Sequence, residues 1–80
     1  MRFLILAACH EHARYWAYEH QLRREEWRLV DRTRDFDGYY QPLVIVLATF
    51  WRRGSDADEL YDMARARRAQ FVNPDTGEIT

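Results

Sequence analysis

Eighty residues, 48% of them hydrophobic, with 12 arginines and no lysine against 13 acids, make a single small domain of net charge −1. At that size only about 60–65% of the unfolded chain's surface can be buried, so stability must lean on the three Trp, five Tyr and four Phe. The near-zero charge removes the simplest electrostatic case for nucleic acid or an anionic membrane, and the single cysteine, Cys9, excludes an internal disulfide.

Phe3 to Ala8, FLILAA, is apolar on both faces and predicts a central strand. It is too brief, and too poorly flanked by basic residues, to be a signal peptide; with the lone cysteine this points to a cytoplasmic protein of a bacterial host. Cys9 to Arg24 has helical character. At about 100° per residue, Cys9, Ala13, Trp16, Ala17 and His20 share a face that should lie on the sheet, with Cys9 buried and inert and His20 a rim histidine bonding a backbone carbonyl. Tyr15, Tyr18 and Leu22 fall on nearly the opposite side, which a sheet-covering helix ordinarily gives to solvent. Either these side chains lie along neighbouring Arg and Glu stems, with Leu22 under the following turn, or they form a surface for a partner or a second copy.

Trp27 to Asp31, WRLVD, alternates and predicts a short edge strand, which completes a βαβ unit with parallel pairing and a right-handed crossover. The polar stretch Arg32 to Pro42 has no helical period. Eleven extended residues reach roughly 36 Å, enough to return the chain to a parallel third strand without a helix, a hairpin being the alternative. That strand is LVIVLATFW, Leu43 to Trp51, the longest apolar run and too short to span a membrane. Ser55 and Asp56 then open a helix that reads through to Phe71, Asp56 and Glu59 having capping-box spacing, and Ala57, Leu60, Met63, Ala64 and Phe71 its core face, with Arg67 snorkelling beside them. Residues 73–80 predict a turn and a frayed tail after a single α/β domain over 1–72. The expected architecture is β-α-β-loop-β-α: a small, mainly parallel three-stranded sheet of order 2-1-3 with two covering helices, half of a Rossmann or flavodoxin-like fold.

In such sheets ligands sit beyond the carboxyl ends of the strands, where the order reverses. That places His10, Thr49, Arg52 and Arg53 around the expected crevice, a set suited to a small anion or nucleotide. CHEHA supplies no glycine for close approach of phosphate, so a dinucleotide cofactor is not expected, and no other cofactor is implied. Cys9, His10 and His12 invite a zinc reading, but only Cys9 and His12 share a helix face, so no metal is expected. Arg32, Arg34, Tyr39 and Tyr40 interleave cations and rings as single-strand binders do, yet Asp31, Asp35 and Asp37 cancel the charge, so nucleic acid is not expected as a partner.

The succession of HEHARYWA, EWRLVDR, DGYYQP, LVIVLATFWRR and DADELYDMARAR resembles small single-domain proteins of actinobacterial phages, which are largely of unknown function. The resemblance covers most of residues 3 to 68. It implies a compact α/β protein of phage or high-GC bacterial origin and carries over no catalytic residue. With no complete catalytic constellation in the chain, the expected function is a non-enzymatic interaction protein that binds a host or phage protein, with a homodimer as a further possibility. Tyr15, Tyr18, Leu22, Tyr39 and Tyr40 are its expected partner surface. The alternative is the small anion or nucleotide site at the strand ends.

Overall fold

A computed structural model describes residues 2–79. Met1 and Thr80, the outer ends of the expected domain and tail, lie outside the described residues. The chain runs through β1 (Phe3–Leu6), α1 (His10–Glu19), β2 (Trp27–Leu29), β3 (Leu43–Val46), α2 (Ser55–Ala66) and β4 (Gln70–Val72), with 3₁₀ turns at Arg24–Glu26, Thr33–Phe36 and Ala48–Arg53. The four strands form one parallel sheet in the order β2-β1-β3-β4. The α/β class, the parallel third strand and the 2-1-3 order therefore stand, and the count of three strands is corrected to four among the described residues.

Register explains why the central strands are apolar on both sides. Phe3 and Ile5 align with Trp27 and Leu29 on one neighbour and with Leu43 and Ile45 on the other, and Val72 extends the row. This row packs with Ala13 and Ala17 of α1, while Leu4, Leu6 and Val44 face Ala57, Leu60 and Ala64 of α2. Side chains alternate across a strand, so a sheet covered by helices on both sides needs apolar residues at every position. Burying each of Leu4, Ile5, Leu6 and Ile45, all without exposed surface, contributes about 1.5–3 kcal/mol.

The helices occupy opposite faces because the chain reverses direction. From β1 to β2 it moves one way through α1; from β2 to β3 it moves back past β1, and a right-handed crossover must then use the other face. No helix forms there. The 3₁₀ turn Thr33–Phe36 drops Phe36, fully buried, into the α2-side core instead.

The strand expected over Leu43 to Trp51 and the helix expected to run through to Phe71 both end early. LVIVLATFW is a strand only to Val46; from Ala48 it winds into a 3₁₀ turn that buries Phe50. The second helix stops at Ala66, where Arg68 takes φ of 55° and Ala69 N–H bonds the Ala64 carbonyl at 3.0 Å. Phe71 consequently belongs to β4, stacked on Tyr61, and not to the helix face. No side chain caps the start of α2: it follows Gly54, and Asp56 turns back to Arg53. Arg67 reaches Asp37 at 3.0 Å. After β4, Asn73 Oδ1 accepts from the N–H groups of Asp75 and Thr76, and the chain returns so that Ile79 bridges Val72 in antiparallel sense, where a frayed tail was expected.

Candidate functional site

The carboxyl edge of the sheet is assembled from two departures. Beyond β1 the chain bends at Ala8 and Cys9, where Cys9 itself has extended backbone angles, φ of −154° and ψ of 167°, and it enters α1 with no side-chain cap. Beyond β3 it enters the 3₁₀ turn Ala48–Arg53. In a 3₁₀ helix residues three apart eclipse one another, so the six residues sort into three rows.

Phe50 and Arg53 form the inward row. Arg53 donates from Nε to Asp56 at 2.7 Å, from Nη1 to the Ala7 carbonyl at 3.3 Å, and from Nη2 to the carbonyl and carboxylate of Asp31 at 2.9 and 3.1 Å. One side chain thus ties the ends of β1 and β2 to the first turn of α2. Partial burial works against its charge, but the carboxylates of Asp56 and Asp31 outweigh it and raise the guanidinium pKa further above its already high value. Thr49 and Arg52 form the second row, toward α1. The Thr49 hydroxyl shares a 3.0 Å hydrogen bond with Nδ1 of His12, and Arg52 is exposed. Trp51, in the third row, is half exposed and begins an aromatic file across the α2 side, its ring 5.3 Å from Tyr61, which stacks on Phe71 at 5.2 Å.

Of the four residues expected around the crevice, Thr49 and Arg52 share one row of the 3₁₀ turn at the carboxyl edge of the sheet. Arg53 is at the same edge with every nitrogen engaged in the clamp. His10 is elsewhere: its ring lies 5.6 Å from that of Trp27, over β2, and His12 takes the place facing β3. The reason lies in the helix. α1 rests over β1 with one flank toward β2 and the other toward β3; His12 and Trp16, one turn apart, share the β3 flank, and Trp16 Nε1 reaches the Pro74 carbonyl at 3.1 Å. The strand order combined with the helical period marks that flank from the sequence. The Arg53 clamp had one local signal, the i,i+3 spacing to Asp56; its Asp31 arm depends on the fold.

Cys9, expected to be buried, is exposed as the residue before α1. His20 donates from Nδ1 to the Trp16 carbonyl at 2.9 Å, as a rim histidine should, and stacks on the Trp16 ring. Among the described residues no group of three or more His, Cys, Asp or Glu is placed to hold a metal ion, and no helix is long and apolar enough to cross a membrane.

The five residues of the expected partner surface separate. Tyr15 and Tyr18 project from the outer side of α1, 66% and 80% exposed, beside a shallow depression they line with Glu11, His12 and Arg14. The Glu19 carboxylate, hydrogen-bonded to the Tyr15 phenol, raises the pKa of that hydroxyl. Leu22 is half buried against the α1-side core. Tyr39 packs on the α2-side core, and Tyr40, 72% exposed, precedes β3 at the opposite edge of the sheet from the crevice. No protein-family model, no curated protein and no solved structure matches the chain.

Proposed function

We propose that this protein is a small, non-enzymatic, phage-type interaction protein that binds a host or phage protein through the outer face of α1. The observation that carries the reading is the exposure of Tyr15 and Tyr18 on the side of the helix turned away from the sheet. Tyrosine offers a large apolar ring with few rotatable bonds and a hydroxyl at its tip, the combination found at binding hot spots. Neither ring contributes to either core cluster. The reading needs no cofactor and goes with a cytoplasmic location in a bacterial host.

The test compares wild type with the Tyr15→Glu, Tyr18→Glu double variant in pull-downs from host lysate and in light scattering. Loss of specific partners from the variant at unchanged secondary structure supports the reading, and loss of a wild-type dimer would identify the partner as a second copy. Identical partners and identical mass for both proteins sink it.

A second reading follows from the His12 to Thr49 hydrogen bond with Arg52 in the same row. The parallel sheet, with its order reversing at β1, supports a half-Rossmann or flavodoxin-like assignment, and in such folds this edge takes ligands. A small anion or nucleotide held by Thr49, Arg52 and His12 would raise the melting temperature, and Arg52→Ala would abolish the rise. No shift with any nucleotide or phosphate at millimolar concentration rules the site out.

A further inference from the structure

The two outer edges of the sheet are protected by different means. At β2, Arg24 lies over the Trp27 ring and donates from Nη1 to the Trp27 carbonyl at 3.3 Å, and Arg28 sits within the strand. Cations on an edge strand are a common barrier to pairing with another chain. The β4 strand, Gln70, Phe71 and Val72, carries no charge. Gln70 N–H is spent on the Pro42 carbonyl of the β3 side, so the alternation of the strand turns Asn73 N–H to the outer side, where it meets the Glu78 carbonyl at 2.8 Å. Ile79 opposes Val72 there, and with Gly77 it walls an almost wholly apolar groove of about 290 Å³ shared with Phe3, Trp16 and Leu43.

We infer that residues 73–79 are an edge guard, and that their release lets β4 pair with β4 of a second copy about a twofold axis. The segment itself shows what the edge accepts: an antiparallel strand with an aliphatic side chain opposite Val72. A twofold axis at Val72 reproduces both features. Val72 of the second copy takes the place of Ile79, and Asn73 N–H of each copy meets the Phe71 carbonyl of the other where it now meets Glu78, which makes the contact isologous and closed. The guard is held by the Asn73 side chain, whose Oδ1 accepts two N–H groups, and by the Gly77 backbone, at φ of 77°, whose N–H bonds the Asn73 carbonyl at 2.8 Å. This pairing is independent of the tyrosines on α1.

Two double variants of the full chain test it. Asn73→Ala with Gly77→Val removes the side-chain acceptor and puts a β-branched residue at a left-handed position, which frees the segment and leaves the edge open. Asn73→Pro with Gly77→Val frees it equally but deletes the N–H that pairing requires. Both substituted side chains are exposed, so neither change removes a core group, and release of the segment uncovers the groove beside Val72 equally in the two variants. Amide exchange at residue 77 should quicken at least tenfold in both variants. Sedimentation over rising concentration should then show wild type and the Asn73→Pro variant as monomers and the Asn73→Ala variant passing to dimer. The inference is overturned by an Asn73→Ala variant that stays monomeric, by an Asn73→Pro variant that dimerises as well, by a wild type that dimerises as tightly as the released chain, or by unchanged exchange.

Discussion

Two neighbouring arginines show how context divides identical side chains. Arg52 is exposed, while Arg53 keeps only 13% of its side-chain surface and spans two strand ends and a helix. Hydrogen bonds to charged groups contribute about 1.5–3 kcal/mol each, but Asp31 is largely and Asp56 about half exposed and water screens them, so Arg53→Met should cost about 1–3 kcal/mol in urea denaturation. Arg52→Met should change stability by less than about 0.5 kcal/mol. Equal costs for the two variants would remove the clamp. Asp35 does comparable work in the 3₁₀ turn after β2, accepting from the Asp31 and Arg32 N–H groups at 2.9 and 3.0 Å and from Arg28 at 3.1 Å. Partial burial works against its charge, yet those N–H groups and the charges of Arg28 and Arg34 prevail, and its pKa lies below the usual aspartate value. The folded state therefore favours the carboxylate. That stabilisation is complete above the unfolded value of about 3.9 and disappears as the pH falls through the lower folded value. Asp35→Asn should cost about 1 kcal/mol at neutral pH, and the gap between variant and wild type should close on acidification; a gap constant with pH would show that the charge is not involved.

At the scale of elements, each boundary that the sequence obscured has a local cause. Phe50 buries itself from a 3₁₀ turn as well as it would from a strand, so hydrophobicity alone cannot separate Leu43–Val46 from the turn that follows. The arginine-rich end of α2 contains no glycine; Arg68 supplies the left-handed residue that stops it, and Phe71 stays in phase with the helix pattern while lying in a strand. What could be read was the type of each strong element and, from β1, α1 and β2 together, the strand order. The carboxyl edge as a candidate site followed from that order, but which of His10 and His12 faces Thr49 required the flank of α1 as well. Gly54, at the start of α2, has a geometry with a measurable consequence. It joins the 3₁₀ turn to α2 at φ of 73° and ψ of −134°, a region nearly closed to residues with a Cβ, although no atom stands within 4 Å of where one would be. Gly54→Ala should thus cost about 1–3 kcal/mol through backbone strain alone, and the larger Gly54→Ser no more. A cost that rises with side-chain size would indicate crowding instead.

Across the whole molecule, the sheet is covered by less secondary structure than a four-stranded sheet ordinarily receives. Helices are about 10 Å across and strands about 4.8 Å apart, so one helix covers roughly two strands and each face has a remainder to close. On the α1 side the remainder is met by the Trp16 ring, anchored to the Pro74 carbonyl, and by the returning segment 73–79. On the α2 side it is met by Phe36, which reaches the core from a 3₁₀ turn of four residues and packs in the same cluster as Leu4, Val30 and Leu60. A helix would distribute that cover over three or four side chains; here the Phe36 ring supplies it from one short turn, with Phe50 and Tyr39 in the same cluster. Phe→Ala in a core costs about 3–5 kcal/mol, and a chain of this length has a total stability of about 4–12 kcal/mol, so Phe36→Ala should forfeit a large part of it. The variant should show a melting temperature lower by ten degrees or more, with α1, on the other face, protected from amide exchange only as long as the global fold persists. Phe36→Leu, which keeps much of the volume, should recover most of the loss. If Phe36→Ala melts within two or three degrees of wild type, the β2 to β3 connection is a surface loop and the α2-side core closes without it.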